Sequence, residues 1–303
     1  MSKNSSWRRA VIGVAGAALL TLPLAACGEK EDSAPPAGSP SAAASAAADP
    51  ALAGRVPDAV KSDGVLKVGT DSTYAPAEFL DSDGQTVIGF DVDLFNAVAA
   101  KLGLKAQFES APFDAILPGV DSGKYEVGVS SFTINDERKQ SVTMVSYFSA
   151  GTQWATKAGN PNKINIDDAC GKKIAVQTGT VQFDDITARS KKCTDAGKPA
   201  ITIDQYQAQS DATAAVVSGK NDAMLADSPV GAYAVKQTNG QLELLGDIYE
   251  SAPYGYVVKK DQTELAEVLR DAVVAIIDDG SYEASLKKWG VEAGGIDEPA
   301  VNP

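Results

Sequence analysis

Short apolar runs that suit β-strands alternate with longer stretches of helical periodicity along most of this sequence. After the first such run, apolar residues recur on one face of a helix that begins near Gly89 and that Gly103 is placed to end. This alternation predicts an α/β fold with a mostly parallel sheet. The strand candidates are Val65–Gly69, 107–109, 125–130, 174–177, 201–203, 223–226 and 256–259.

The tripeptide Ser-Gly-Lys occurs twice in the same context, which points to two related halves. Residues 122–124 precede the strand candidate that leads to Ser130, and residues 218–220 precede the one that leads to Asp227. Ligands of open α/β sheets bind at the carboxyl ends of strands, so we expect the binding site at these polar residues. A chance repeat of three residues is the alternative.

Hydroxyl groups and an arginine follow the third strand candidate. The strand breaks into Ser130, Ser131 and Thr133. Asn135 can then cap a helix that holds Arg138 in its first turn, where the helix dipole disfavours a cation unless an anion lies close by. A guanidinium offers a two-pronged donor to a carboxylate, so this stretch predicts a carboxylate-binding site. An arginine on a solvated helix end is the alternative.

Polar residues that follow later strands can complete the site. Asp227 either caps the helix that starts near Pro229 or binds an ammonium group. If Arg138 and Asp227 lie on facing lobes, they would hold the two ends of an α-amino acid, and both charges would be paired. Thr180 can cap a helix whose free amides would also face an anion. The aromatic residues that border the same edge, as pocket walls or as plain core, are Tyr74, Phe113 and Phe132.

Charge and the absence of histidine narrow the possible functions. The net charge of −13 argues against a nucleic-acid partner. Because the chain has no histidine, Ser-His-Asp and Cys-His catalytic arrangements and histidine-ligated metal sites are excluded, and only carboxylate chemistry remains. The sequence therefore predicts no catalytic residue, no metal and no cofactor.

Residues 1–26 have the features of an export signal. Lys3, Arg8 and Arg9 precede an apolar segment that ends in small residues just before Cys27. Removing this segment takes away three basic residues and no acidic one, so the net charge changes from −13 to −16. The choice between Sec and twin-arginine export stays open, and a plain secretory signal is the alternative to a lipoprotein signal.

The segment that follows the export signal is expected to be a tether before the folded part. Residues 27–56 are rich in Ala, Ser, Pro and Gly, so we expect a disordered tether that buries little apolar surface.

Two cysteines, Cys170 and Cys193, lie within the part of the chain that is expected to fold. Outside the cytoplasm such a pair is expected to form a disulfide rather than a metal site, and two buried free thiols are the alternative.

Six motifs together resemble the polar amino-acid-binding solute-binding proteins (bacterial extracellular solute-binding protein family 3), the receptors of ATP-driven importers. The resemblance extends from about Val65 to Gly290. The motifs are Gly69–Pro76, Gly89–Leu94, Ser130–Thr133 followed by Arg138, Gln177–Thr180, Asp227–Pro229 and Asp279–Tyr282.

The resemblance implies a two-lobed, periplasmic-binding-protein-like α/β fold (type II) with two hinge strands. Lobe 1 would comprise residues 57–150 and 253–303, and lobe 2 would comprise residues 151–252. Ligand binding would close the lobes. The protein is expected to be a monomer that delivers an amino acid to the membrane subunits of an ABC permease.

A second resemblance concerns membrane attachment. The Leu-Ala-Ala-Cys sequence at 24–27 is similar to a bacterial lipobox, which implies cleavage before Cys27 and lipidation of its thiol with palmitate-type chains. More than one acyl chain gives stable anchoring. The expected location is therefore extracytoplasmic, at the outer face of the cell membrane.

The family resemblance also implies roles for single residues. Arg138 would bind the ligand carboxylate, and Asp227 would bind its amine. An aspartate at the position of Asp71 favours a tail that donates hydrogen bonds, such as that of glutamine or a basic amino acid. Ala77 and Val181 depart from the family pattern in the loops around the side-chain pocket. The expected ligand-binding residues are Asp71, Tyr74, Phe113, Ser130, Ser131, Thr133, Arg138, Gln177, Thr180, Gln182 and Asp227.

Two other functions share the predicted fold. A cyclohexadienyl or arogenate dehydratase is similar to this family, but it needs a spare general acid or base, for which Asp71 and Glu78 are the candidates. A ligand-sensing partner of a signalling receptor would act through a separate effector chain. We expect a binding protein rather than an enzyme.

Overall fold

The computed structural model describes residues 47–303, in which strands and helices alternate. The predicted export signal, Cys27 and most of the predicted tether lie outside the described residues. The strands are β1 (Val65–Thr70), β2 (Thr73–Tyr74), β3 (Glu78–Leu80), β4 (Val87–Ile88), β5 (Lys105–Ser110), β6 (Val127–Thr133), β7 (Val142–Lys157), β8 (Lys173–Gln177), β9 (Thr202–Tyr206), β10 (Ala223–Asp227) and β11 (Leu242–Lys259). The helices are α1 (Pro50–Ala53), α2 (Asp58–Lys61), α3 (Phe90–Lys101), α4 (Phe113–Asp121), α5 (Arg138–Ser141), α6 (Val181–Asp195), α7 (Gln209–Ser218), α8 (Ser228–Gln237), α9 (Thr263–Asp278) and α10 (Ser281–Trp289), followed by a 3-10 turn at Glu292–Gly294.

Eight strands form one sheet in the order β5-β1-β6-β11-β7-β10-β8-β9. At one end β1 pairs in parallel with β5 and β6, and at the other end β8 pairs in parallel with β9 and β10. Between these ends, β7 and β11 run antiparallel to each other and to their outer neighbours. The sheet therefore has two parallel halves joined by two long strands, and β2, β3 and β4 form a separate small sheet.

The two long strands carry the chain from one half of the sheet to the other. The part of β11 near Tyr254 pairs with β6, whereas the part of β7 that begins at Thr152 pairs with β10. Between these regions the register of β11 shifts from Leu245 to Ala252. We call the part with β1–β6, α9 and α10 the first lobe, and the part with β8–β10 and α6–α8 the second lobe.

Helix α3 shows how the first lobe folds around one apolar stripe. Phe90 and Leu94 are fully buried, and Gly103 follows the helix at φ 69°, as the sequence predicted. Gly89 precedes the helix at φ 144°, where a Cβ atom would stand 1.9 Å from the carbonyl oxygen of Ala77. Only glycine fits there, so the start of α3 is held against the loop that follows β2.

The second lobe has its own apolar core and a disulfide. Trp154 on β7 and Ile174 on β8 are fully buried in this core. Cys170 and Cys193 form a disulfide that connects the loop before β8 to helix α6, so the predicted pairing is present. Within residues 47–303, no helix has the length and apolar character that crossing a membrane would require.

The Ser-Gly-Lys repeat has the same structural setting in both lobes. Gly123 follows α4 and Gly219 follows α7, and both adopt φ 79°. Each turn leads into a strand that pairs in parallel within its lobe and ends near the cleft, namely β6 and β10. The repeat therefore marks equivalent positions, as predicted.

Helical structure is present before residue 56, the predicted end of the tether. Asp49 accepts hydrogen bonds from the backbone N–H groups of Ala51 (2.8 Å) and Leu52 (3.3 Å) and so caps α1. Leu52 and Val56 are buried in the core of the first lobe. These two apolar side chains provide burial that a composition of Ala, Ser and Pro alone would not supply.

Strand β6 is longer than the sequence predicted. Its hydroxyl-bearing residues do not follow the strand but belong to it, because pairing with β11 continues as far as Thr133 opposite Tyr254. Strand pairing in the tertiary structure thus overrides the weak intrinsic strand preference of the serines.

Candidate functional site

A small cavity of about 210 Å³ lies between the two lobes at the carboxyl ends of β6 and β10. Eight of the eleven expected ligand-binding residues line it, and Val181 does so as well. The other three, Asp71, Ser130 and Gln177, are not among the lining residues. The lining residues are Tyr74, Phe113, Ser131, Thr133, Arg138, Thr180, Val181, Gln182 and Asp227.

Arg138 is held in the cavity wall by local and distant contacts. The side chain of Asn135 accepts a hydrogen bond from the backbone N–H of Arg138 (2.8 Å). Helix α5 begins only at Arg138 and its N-cap residue is Glu137, so Asn135 stabilises the turn before the helix rather than occupying the predicted N-cap position. The guanidinium donates to the carbonyl oxygens of Thr133 (2.8 Å) and Gly179 (3.2 Å). Its Cζ lies 5.5 Å from the centre of the Phe113 ring. Burial lowers the pKa of Arg138, and the charge of Asp227 opposes this shift.

Asp227 ends β10 and precedes α8, but its side chain does not cap that helix. The carboxylate instead accepts hydrogen bonds from the Tyr74 hydroxyl (2.8 Å) and the Gln182 side-chain amide (2.8 Å). The capping alternative is therefore wrong, and Pro229 lacks an N–H group that could donate to such a cap. Burial raises the pKa of Asp227, while hydrogen bonds from Tyr254, Tyr74 and Gln182 oppose the shift.

Asp71 and Gln177 are hydrogen-bonded to each other next to the cavity, because the carbonyl oxygen of Gln177 accepts a bond from the hydroxyl of the lining residue Thr180 (2.8 Å). The Asp71 carboxylate accepts bonds from the Thr73 hydroxyl (2.7 Å), the Thr73 N–H (3.1 Å) and the Gln177 side-chain amide. Burial raises the pKa of Asp71, and these hydrogen bonds oppose the rise. The side-chain oxygen of Gln177 is buried without a protein partner among residues 47–303. The charged carboxylate of Asp71 and the neutral side-chain oxygen of Gln177, both hydrogen-bond acceptors, therefore lie close together. We call this part of the site the tail end.

Ser130 and Ser131 donate their hydroxyl protons to buried carboxyl groups rather than to the cavity. Ser130 donates to Glu78 (2.8 Å), and Ser131 donates to Asp91 (3.1 Å). Ser131 nevertheless lines the cavity with a backbone at φ 50°. We expected these hydroxyls to face a ligand, and the partners Glu78 and Asp91 were not foreseen because they lie 40 or more residues away.

The apolar part of the wall is only partly the one predicted. Phe113 lines the cavity, but Phe132 stacks behind it at 4.6 Å between ring centres and does not reach the lining. Thr180 accepts a bond from the N–H of Phe183 (3.3 Å) and so caps α6, as predicted. Val181 also lines the cavity. From the sequence we expected it only as a departure from the family pattern near the side-chain pocket and not as a ligand-binding residue.

Several hydrogen bonds join the lobes across the cavity. Besides Tyr74 to Asp227, Gln177 to Asp71 and Arg138 to Gly179, the N–H of Gln209 on α7 donates to the Thr73 hydroxyl (3.1 Å). The lobes are therefore in contact, which explains why the cavity is small. In the part of the chain that the structure describes, no group of three or more Cys, Asp or Glu residues could hold a metal ion.

Similarity to known proteins covers most of the chain. The profile of the family described as bacterial extracellular solute-binding proteins, family 3, matches residues 66–292. The arginine-binding protein ArgT of Corynebacterium glutamicum is 36% identical over 298 residues, covering 97% of this chain and 96% of that protein.

Solved structures of amino-acid-binding proteins are also similar to this chain. A structure of an ancestral arginine-binding protein bound to arginine aligns with a TM-score of 0.68 at 36% identity, covering 75% of this chain and 98% of that one. One bound to glutamine aligns with a TM-score of 0.69 at 35% identity, covering 76% and 99%. These relatives are binding proteins, as expected, and the two-lobed type II periplasmic-binding-protein fold is confirmed. The chain belongs to the bacterial extracellular solute-binding proteins of family 3.

Proposed function

We propose that this protein binds a basic L-amino acid, with L-arginine preferred, between its lobes and delivers it to an ATP-driven importer. The observation that carries the proposal is that Arg138 and Asp227, opposite charges from different lobes, line one small cavity. Both side chains are largely buried, at 9% and 5% exposure. Buried charges of opposite sign can be paired by a ligand that has both a negatively and a positively charged group.

Each end of an α-amino acid has a matching group in this arrangement. The Arg138 fork would bind the ligand carboxylate in bidentate fashion, and Asp227 would accept from the ligand ammonium group. Ser131, Thr133 and Thr180 would contribute backbone or hydroxyl contacts, and the rings of Tyr74 and Phe113 would flank the ligand. The ligand would displace bonds such as Arg138 to Gly179, which are made when the lobes meet.

Asp71 and Gln177 support a tail that donates hydrogen bonds. The Asp71 carboxylate and the side-chain oxygen of Gln177, which has no partner within the described part of the chain, are both acceptors, and a guanidinium group carries only donors. The similarity to arginine-binding proteins points the same way. Glutamine is the second candidate, because a related ancestral protein has been solved with glutamine bound.

The transport setting belongs to the same proposal. The lobes would consist of residues 57–150 with 253–303 and residues 151–252, closing about β7 and β11. A lipidated Cys27 would hold the receptor at the outer face of the membrane, where a permease could receive the ligand. This anchor rests on the sequence at 24–27, and metabolic labelling with palmitate, lost in Cys27→Ser, tests it. A dehydratase has less support, because the similar proteins at 36% identity are arginine-binding proteins.

The test is a binding measurement on residues 28–303 after unfolding and refolding, which removes any ligand carried through purification. We expect arginine to raise the thermal midpoint most, because a ligand that binds only the folded state stabilises it. Arg138→Ala should abolish the shift, and the neighbouring Lys139→Ala should preserve it. A shift with acidic amino acids alone, or full binding by Arg138→Ala, would contradict the proposed site.

A further inference from the structure

Two buried carboxyl groups lie close together next to the binding site, and neither is paired with a cation from residues 47–303. Glu78 on β3 and Asp91 in the first turn of α3 are both fully buried. Neither takes part in an ion pair with a Lys or Arg of residues 47–303. Two adjacent buried carboxylates cannot both remain ionised at low cost.

The hydrogen bonds around the pair assign one oxygen of each group as an acceptor. Oε1 of Glu78 accepts from the Ser130 hydroxyl at 2.8 Å. Oδ2 of Asp91 accepts from the Tyr147 hydroxyl (2.6 Å), the Ser131 N–H (2.9 Å) and the Ser131 hydroxyl (3.1 Å). Burial raises the pKa of Asp91, but the three donors on one oxygen oppose this rise, and so does its position in the first turn of α3. Glu78 has only one such donor, so Asp91 is the better site for the negative charge.

The two remaining oxygens have no donor from residues 47–303. They are Oε2 of Glu78 and Oδ1 of Asp91. The two residues are neighbours in space, because the backbone N–H of Asp91 donates to the carbonyl oxygen of Ala77 (3.1 Å), directly before Glu78, and the carboxyl groups bind the adjacent Ser130 and Ser131. A proton on Oε2 of Glu78 that is donated to Oδ1 of Asp91 gives both atoms a partner and leaves one negative charge instead of two. Buried polar atoms are rarely left without a partner, so the geometry favours this single-proton state.

The other titratable groups that face the pair reinforce this assignment. Asp71 after β1 and Tyr74 on β2 face Glu78, while Tyr147 on β7 and Tyr256 on β11 face Asp91. One is a carboxyl group and three are phenols. Burial raises the pKa of Glu78 well above its usual range, and the charges of Asp91 and Asp71 raise it further.

The pair connects directly to residues of the proposed site. Because the Ser130 hydroxyl donates its only proton to Glu78, its oxygen is free to accept the backbone N–H of Asp71 (3.0 Å). Asp91 holds Ser131 through two bonds in its φ 50° conformation on the cavity wall. The pair therefore acts on both the tail end and the wall of the cavity without touching the ligand.

We propose that Glu78 and Asp91 share one proton, carried on Oε2 of Glu78, and that this carboxyl pair is a positioning element for Ser131 and, through Ser130, for Asp71. The first part concerns the protein alone, and the second part rests on the proposed function. Glu78 and Asp91 are positioning residues, because neither lines the cavity.

The proton-sharing part is tested by the pH dependence of unfolding in the wild type, Glu78→Gln and a control, Glu267→Gln, which changes an exposed residue of α9. A folded state that holds a proton which the unfolded state releases loses stability as pH rises. Between about pH 5 and 8, the unfolding constant of the wild type and the control should therefore increase more steeply than that of Glu78→Gln, by up to about tenfold per pH unit. Equal slopes would overturn the shared proton.

Infrared spectroscopy gives a second readout that does not depend on any unfolding experiment. The difference spectrum of wild type minus Glu78→Gln at neutral pH should show the C=O stretching band of a protonated carboxyl group. A difference spectrum that shows only a carboxylate band would contradict the assignment of the proton to Glu78.

The positioning part is tested by arginine affinity. Glu78→Met removes both hydrogen bonds at similar size and should weaken arginine binding at least tenfold, whereas Glu78→Gln, which can donate and accept, should restore part of the loss. The wild type should also lose affinity at alkaline pH, where the shared proton dissociates, more steeply than Glu78→Gln does. If Glu78→Met binds arginine as the wild type does, the positioning role is wrong. If the wild type itself does not bind arginine, the proposed function fails, and the unfolding and infrared results still decide the shared proton.

Discussion

The hydroxyl of Tyr74 donates a 2.8 Å hydrogen bond to the Asp227 carboxylate, and it accepts one of 3.2 Å from the Asp227 N–H. These residues lie 153 positions apart in the sequence and belong to different lobes. Tyr74 thereby provides a partner for the charge of Asp227 within the protein itself. The contact gives the closed arrangement a polar link that does not need a ligand.

Tyr74→Phe should therefore make the ligand-free protein more open while preserving the ring in the cavity wall. A hydrogen bond to a charged group contributes about 1.5–3 kcal/mol, enough to shift an equilibrium between open and closed lobes by roughly tenfold or more. Small-angle scattering of the ligand-free variant should give a larger radius of gyration than that of the wild type. Identical radii would show that this bond does not hold the lobes together.

Asp71→Asn should change ligand preference rather than abolish binding. A guanidinium or ammonium tail would lose its charged acceptor, so we expect arginine affinity to fall by roughly tenfold to a hundredfold. A neutral glutamine tail should lose much less, because an asparagine side chain can still accept from it. Calorimetric titration with both amino acids checks this. Equal losses for the two ligands would place the tail elsewhere in the cleft.

Arginine binding should weaken as the solution is made acidic, and the loss should begin at a higher pH than the usual pKa of an aspartate. Burial raises the pKa of Asp227, and the protonated carboxyl cannot pair with the ligand ammonium group. Affinity should therefore fall as pH decreases through that raised pKa, by up to about tenfold per pH unit. Titrations in buffers of different ionisation enthalpy should detect proton release on binding in this range.

The stability of the ligand-free protein should change with pH in the opposite direction to the ligand affinity. A carboxyl group whose pKa is raised by folding favours the folded state below its unfolded pKa, and this contribution is lost as pH rises through the folded pKa. The Asp227→Asn variant, which lacks this titration, should show a flatter pH profile for both binding and unfolding. A wild-type affinity that stays constant down to about pH 4, near the usual pKa of an aspartate, would contradict the prediction.

Removal of the disulfide should lower stability but leave ligand affinity intact. Cys170 and Cys193 are 23 positions apart, and a cross-link across such a loop stabilises a protein by about 3 kcal/mol. The Cys170→Ser, Cys193→Ser double variant should have a lower midpoint in urea and an arginine affinity within about twofold of the wild type. The two residues do not line the cavity, so a large loss of affinity would indicate a coupling that the contacts do not explain.

Features that depend on neighbours within a few positions could be predicted from the sequence. The apolar stripe of α3, its end at Gly103 and the cap that Thr180 provides for α6 all follow from helical spacing and from capping between residues three apart. The alternation of strands and helices likewise predicted the parallel halves of the sheet. The arginine and aspartate that meet at the cavity were identified because each follows a strand at its carboxyl end.

The choice between local alternatives was made by the tertiary structure. Asp227 could cap α8 by its sequence position, yet its carboxylate faces the cleft because Tyr74 and Gln182 donate to it there. The Ser130 hydroxyl donates to Glu78 instead of the cleft because strand β3 brings that buried carboxyl group within 2.8 Å.

The division has one physical reason. Periodicity, capping and turn preferences are set by residues next to one another on the chain, so the sequence alone predicted most of the longer helices, the strands of the two parallel halves and the candidates for the site. It did not predict strand β7 or the first part of β11, which are held in place by pairing with each other and with both halves. The partner of a buried polar group is set by whichever element packs against it, and a buried charge or hydroxyl is costly to leave unpaired. Only the packed lobes therefore decided which oxygens face the ligand and which, as in Glu78 and Asp91, face each other.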